Sequence, residues 1–252
     1  MILKRKIYKK LLEWKNECQG KKALLIEGAR RIGKSTICEE FGKNEYESYL
    51  LIDFAKKDKE VEMYFERYLN DLDTFFMLLQ THFGTKLTER NSLIIFDEVQ
   101  MFPQARAAIK YLVADGRYDY IETGSLISIR ENVKNIVIPS EERNINMYPL
   151  DFEEFAIALE EDLLVEYIKK CFEKREPLER SMHNQAMLLF HQYMLVGGMP
   201  MPVVSFIESK KDFTEADREK RDILKLYRED IMKIDAKYRS KVLAIYDQIP
   251  GF

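Results

Sequence analysis

Little in this chain points to disulfide or metal chemistry. Its only cysteines, Cys18, Cys38 and Cys171, are scattered and odd in number, with no C-x-x-C spacing, which excludes a disulfide framework and a zinc site. His82, His183 and His191 share no ligand spacing with one another or with the cysteines, so ordinary structural histidines are expected. No apolar stretch is long enough to span a bilayer, and no membrane partner is expected. Neither sign of charge dominates: 40 Lys and Arg stand against 43 Asp and Glu, a net charge of −3 that makes no general electrostatic case for nucleic acid. The basic N-terminus lacks an uninterrupted apolar core and a small-residue cleavage site, so it does not read as a signal peptide. A reducing cytoplasm fits best. Hydrophobic residues at 46% and charged residues at 33% describe a soluble globular chain, and 252 residues suffice for one large domain or one domain with a helical appendage.

What the chain does have is GARRIGKS at residues 28–35, a G-x-x-x-x-G-K-S phosphate-binding loop of Walker A type. It follows the apolar run Ala23-Leu24-Leu25-Ile26, which reads as a buried strand, and opens a helical stretch from Lys34 toward Phe41. Gly28 and Gly33 permit backbone conformations and a close approach that a Cβ would block, so successive N–H groups can point at an anion. Lys34 supplies a mobile cation for β- and γ-phosphates, and the Ser35 hydroxyl can ligate magnesium.

Further strands are predicted at Tyr49–Phe54, Ser92–Phe96 and Tyr118–Thr123, with a weaker fifth at Ile145–Tyr148. Between them, a helical region carries Met63, Phe65, Tyr68, Leu69, Leu72, Phe75, Phe76 and Leu79 as core, and a helix from Pro103 stops at Gly116. Strands alternating with helices predict a parallel α/β sheet covered on both faces, with ligands beyond the carboxyl ends of the strands. The phosphate loop, Asp97-Glu98 and Ser125 all fall there. Past Pro149 the pattern is helical: 151–160, 163–174, 184–196, 215–233 and 240–248. A boundary near residue 150 therefore divides an α/β domain from a helical region at 151–252. Gly197-Gly198-Met199-Pro200 reads as a helix stop. At the N-terminus, Ile7, Leu11, Leu12 and Trp14 fit one helix face, and Lys4, Arg5, Lys6, Lys9 and Lys10 read as its solvated side.

Leu93–Glu98 has the form of a Walker B strand, buried hydrophobics holding an acid pair at the tip. Asp97 would hold magnesium, usually through water. Glu98 can orient and polarise an attacking water, which argues for hydrolysis over transfer to an acceptor. Ser125 either senses the γ-phosphate or, with Thr123, satisfies a local turn. Spread transition-state charge calls for a further cation, often an arginine from a neighbouring subunit or partner. Arg30, Arg31, Arg130, Arg143 and Arg228 are all candidates that the sequence does not separate.

Taken together, GARRIGKST, LIIFDEVQMFP, YLVADGRYDYIETGS, MYPLDFEEF, YMLVGGMP and LYREDI resemble, in order, blocks of a family of prokaryotic AAA-type ATPases related to archaeal STAND-like NTPases. The resemblance implies a P-loop NTPase fold of ASCE type, with strand order 5-1-4-3-2 and a helical lid after the sheet. It implies nucleotide and magnesium at Gly33, Lys34, Ser35 and Thr36, Walker B at Asp97 and Glu98, and a sensor at Ser125. Relatives carry an uncharacterised C-terminal domain and continue past residue 252, which makes this chain a truncated form by that comparison.

The reading is an ATP-binding protein whose Mg2+-dependent hydrolysis to ADP and phosphate drives a conformational change. Lys34, Glu98 and Ser125 are its catalytic candidates. Gly28, Ala29, Arg30, Arg31, Ile32, Gly33, Lys34, Ser35 and Thr36 bind the nucleotide, and Ser35 and Asp97 bind the metal. A second copy or a protein partner would supply the arginine. Three alternatives stay open: a nucleotide-gated module with little turnover, a DNA-associated ATPase using the basic N-terminal helix, and a small-molecule kinase. ATP is preferred over GTP through the resemblance, since no N-K-x-D segment is present.

Overall fold

The computed structural model describes residues 1–125, 140–232 and 235–248. The chain divides into two compact units, Lys4–Tyr148 on one hand and Met1–Leu3 with Pro149–Phe252 on the other.

The first unit is a parallel five-stranded sheet, β1 (Ala23–Glu27), β2 (Ser48–Asp53), β3 (Ser92–Asp97), β4 (Asp119–Gly124) and β5 (Glu142–Asn146), in the order β2-β3-β4-β1-β5. This is the expected α/β P-loop NTPase topology. Helices α1 (Ile7–Cys18), α2 (Lys34–Glu45), α3 (Lys59–Tyr68), α4 (Leu72–Phe83) and α5 (Pro103–Asp115) accompany it. β3 and β4 are buried along their whole length, as central strands of a two-faced sheet must be. One face carries Leu25, Ile94, Phe96 and Tyr120 under Phe65, Phe75, Phe76 and Ile109. The aromatic run of the sequence is thus core, and Phe65 meets Phe75 edge to face at 5.0 Å. It forms two helices because Asp71 caps the second, its carboxylate accepting from Thr74 N–H. In α1, Ile7, Leu11 and Trp14 are buried, and the Trp14 indole donates to Lys22 O at 2.9 Å.

The fifth strand lies earlier than expected, at Glu142–Asn146 in place of Ile145–Tyr148. Its sequence ERNIN has no apolar run, because an edge strand with β1 as its one neighbour is only half covered.

The second unit is helical: α6 (Phe152–Ala158), α7 (Asp162–Lys174), α8 (Arg180–Val196), α9 (Pro200–Glu208), α10 (Phe213–Met232) and α11 (Ala236–Gln248). Asp151 and Glu154 form a capping box at the start of α6. Leu150 N–H donates to Gly198 O at 2.7 Å and Tyr193 Oη donates to Leu150 O at 2.8 Å, so the segment before α6 is laced to the α8–α9 turn. Gly198 faces the Leu150 backbone, where a Cβ has no room. The Gly-Gly-Met-Pro segment ends α8, as expected, but also starts α9, since Pro200 occupies its first turn. Among the described residues no helix is long and apolar enough to cross a membrane.

Candidate functional site

The site is built at the carboxyl ends of β1, β3 and β4, which are adjacent in the sheet as β3-β4-β1. From β1 the chain turns through Gly28–Gly33 into α2. Gly33 has φ 90°, a left-handed conformation that a side chain resists, and as N-cap of α2 it brings no side chain of its own to the first N–H groups. Those N–H groups and the positive end of the helix dipole suit an anion. Gly28 serves by close approach: a Cβ there would lie 2.5 Å from Met147 O and 2.6 Å from Ile32 Cδ1. Ile32 is buried, whereas Ala29, Arg30, Arg31 and Thr36 are exposed. Arg31 also adopts a left-handed backbone, φ 65°.

Lys34 is 5% exposed. Its Nζ donates to Ala29 O at 2.8 Å and Gly28 O at 3.1 Å. Burial pulls the ammonium below its ordinary pKa, and the nearby charge of Glu98, then that of Asp97, acts in the opposite direction. The two acids of the β3 tip thus lie within electrostatic reach of the loop lysine. The Ser35 hydroxyl lies 2.8 Å from both Asp97 oxygens.

Thr123, on β4, ties this arrangement together. Its hydroxyl donates to Asp97 Oδ1 and accepts from Glu98 N–H at 3.3 Å. Glu98 has φ 53° and ψ 45°, a left-handed backbone that costs a residue with a Cβ about 1–2 kcal/mol. It opens a 3-10 turn, Val99–Met101, in which Met101 N–H donates to Glu98 O at 2.8 Å. The Gln100 side-chain amide donates to the Glu98 carboxylate. Ser125 is buried immediately after β4.

Arg5 leaves the basic N-terminal run that the sequence presents as a solvated face. Its guanidinium donates to Ile32 O at 2.9 Å and Tyr148 O at 2.6 Å, fastening the loop to the segment after β5. The other candidate arginines diverge. Arg143 pairs with Glu17 at 2.6 Å and Arg228 with Asp247 at 2.8 Å, Arg30 lies close enough to Lys34 to disfavour its charge, and Arg130 lies outside the described residues. Thr123, Gln100 and Arg5 were not singled out from sequence for these contacts. The available signal was a polar residue within apolar or strand-end surroundings, which must find a partner once buried. No group of three or more His, Cys, Asp or Glu suited to a metal occurs among the described residues.

A glycine loop between β1 and α2, a buried lysine and a hydroxyl–carboxylate pair on a parallel sheet define a P-loop NTPase fold. The chain belongs to the AAA domain family, whose pattern matches residues 20–156. Similar solved structures include C. elegans PCH-2, with TM-score 0.39 and 11% identity over 85% of this chain and 64% of that one. Another is the Aeropyrum pernix ORC1 protein in complex with DNA, with TM-score 0.37 and 9% identity over 99% of this chain and 84% of that one. The chain thus spans less than two thirds of the length of the PCH-2 chain. No curated protein matches it.

Proposed function

We propose that this chain binds ATP with Mg2+ at residues 28–36 and hydrolyses it to ADP and phosphate, using the free energy to drive a conformational switch. The observation that carries the reading is the meeting of Lys34, the Ser35–Asp97 pair and Glu98 at the carboxyl ends of β1 and β3, one strand apart. Backbone N–H groups of Gly28, Ala29, Arg30, Arg31, Ile32 and Gly33 and of the first α2 turn bind the phosphates, with Lys34 moving from the loop carbonyls to the β- and γ-phosphates. The donor set fits magnesium: one hydroxyl and one carboxylate suit an ion that keeps several waters, so Ser35 and Asp97 hold it, with Thr36 beside them. Magnesium supplies charge neutralisation of the phosphate oxygens. Glu98 orients the attacking water and takes up its proton, and Ser125 hydrogen-bonds the γ-phosphate.

In this reading residues 1–150 act as the ATPase domain and residues 151–252 as a helical lid, in a cytoplasmic, STAND-like protein of prokaryotic type whose six signature blocks run through most of the chain. With Arg143 and Arg228 engaged by Glu17 and Asp247, a second copy or a protein partner supplies the remaining cation. The same pairing favours a second reading, a nucleotide-gated module that turns over slowly until a partner arrives. Calorimetric titration of ATP with and without Mg2+, alongside Lys34→Ala, tests the proposal. Tight, magnesium-dependent binding that the variant weakens at least about a hundredfold supports it, by loss of a buried charge–phosphate contact. Equal binding by both chains contradicts it.

A further inference from the structure

We infer that Gln100 is the positioning residue for Glu98. The inference rests on the hydrolysis reading and assigns a role to a side chain outside the phosphate loop, the metal pair and the sensor position.

Glu98 stands at the head of a short turn, and two independent contacts fix it. Its N–H is held by Thr123 Oγ1, and its carboxylate receives the Gln100 amide from two residues farther along the same turn. Gln100 is 5% exposed, unlike neighbouring Met101, which is exposed. The surrounding turn is closed by Met101 N–H on Glu98 O and by Phe102 N–H on Val99 O at 3.2 Å, so the amide projects from a hydrogen-bonded turn. An amide is suited to this task. It donates to one carboxylate oxygen without carrying a charge, which leaves the other oxygen for water and does not compete with Lys34 for the acid. A lysine there would form an ion pair, and an apolar side chain would let the carboxylate rotate. The left-handed backbone of Glu98 aims the side chain, and Gln100 selects among its remaining rotamers.

The role of a positioning residue is to hold the general base near its productive geometry, where a misplacement of an ångström costs about a hundredfold in rate. Gln100 does not touch the nucleotide in this assignment, so its loss lowers kcat while leaving nucleotide affinity in place.

The experiment is a double-mutant cycle on the full chain, with Gln100→Met and Glu98→Gln singly and together, reading phosphate release and the Kd of a non-hydrolysable ATP analogue. Gln100→Leu, which has no donor and no charge at a similar size, is measured as a second variant, and thermal melting checks that each protein is folded. The expected result is a kcat lower by about tenfold to a hundredfold in Gln100→Met with the analogue Kd within about twofold, and no additional loss when Glu98 is already Gln. An undiminished kcat in the folded variants overturns the inference alone. So does a further fall in the Glu98→Gln background, which marks a structural role. A parent chain that binds the analogue but releases no phosphate overturns the hydrolysis reading and this inference with it.

Discussion

Ser35 Oγ lies 2.8 Å from each carboxylate oxygen of Asp97, although 62 positions separate the two residues. The sheet makes this possible. β1 delivers the loop and the first turn of α2, β3 delivers the acid, and β4 runs between them. Thr123, from that intervening strand, completes a continuous line of hydrogen bonds from Ser35 through Asp97 to the backbone of Glu98.

Thr123→Val removes that link while conserving shape. Asp97 loses a donor and the Glu98 N–H loses its acceptor, so a loss of about 1–3 kcal/mol in folding stability is expected, together with a fall in phosphate release. Urea unfolding and the turnover assay measure the two effects, and Thr123→Ser is expected to restore both.

Gly28→Ala and Gly33→Ala probe two different needs for glycine. At Gly28 the new Cβ meets Met147 O at 2.5 Å, so the loop must shift away from the β5 exit. At Gly33 the strain is conformational, with φ at 90° costing about 1–2 kcal/mol. Both variants are expected to bind ATP more weakly, Gly33→Ala by about fivefold to thirtyfold, as about 1–2 kcal/mol spent distorting the loop is withheld from the ligand. Calorimetry measures this.

Glu122 gives the first unit a pH dependence. It is fully buried on β4, and its carboxyl pKa is pushed well above the ordinary value, first by burial and then by the Glu142 carboxyl beside it. Among the described residues neither Glu122 oxygen has a partner apart from Glu142, and two carboxyls sharing a buried site need a proton between them. Glu142 is paired with Arg106, whose guanidinium donates to it at 2.9 and 3.2 Å. The native state therefore holds a proton that the unfolded chain releases above about pH 4.5, the ordinary glutamate value. Stability from this group is full below that pH and declines as pH rises toward the raised native value, by at most about 1.4 kcal/mol per pH unit. Urea midpoints from pH 5 to 8 are expected to fall in the parent chain and to flatten in Glu122→Gln, which mimics the neutral acid. Arg106→Met, which strands Glu142 in the core, is expected to cost about 3–5 kcal/mol.

Much of this was legible in the residues. The Gly-rich loop, Lys34 and Ser35 stand in one contiguous motif, and the Asp97-Glu98 pair ends an unbroken apolar strand, so local pattern alone brings them to one edge of a parallel sheet. Contacts that depend on side-chain reach were not, even with the strand order that the resemblance implies. Thr123 reaches Asp97 only because β4 neighbours β3, and Gln100 reaches Glu98 only because a 3-10 turn folds it back. Arg5 was hidden in a run of similar charges, of which it is the one seen spanning to Ile32 O and Tyr148 O. β5 was misplaced because an edge strand needs no apolar run, and α9 was missed because its first proline follows two glycines that end the previous helix.

The most direct test is phosphate release from Mg2+-ATP by the parent chain and by Glu98→Gln at several protein concentrations, with analogue binding measured in both. Hydrolysis is expected in the parent, with a rate per molecule that climbs as a second copy supplies its cation, and turnover lower by at least about a hundredfold in a variant that still binds. Equal phosphate release by the parent and Glu98→Gln, or none from a parent that binds ATP, contradicts the assignment of Glu98 as the base of an ATP hydrolase.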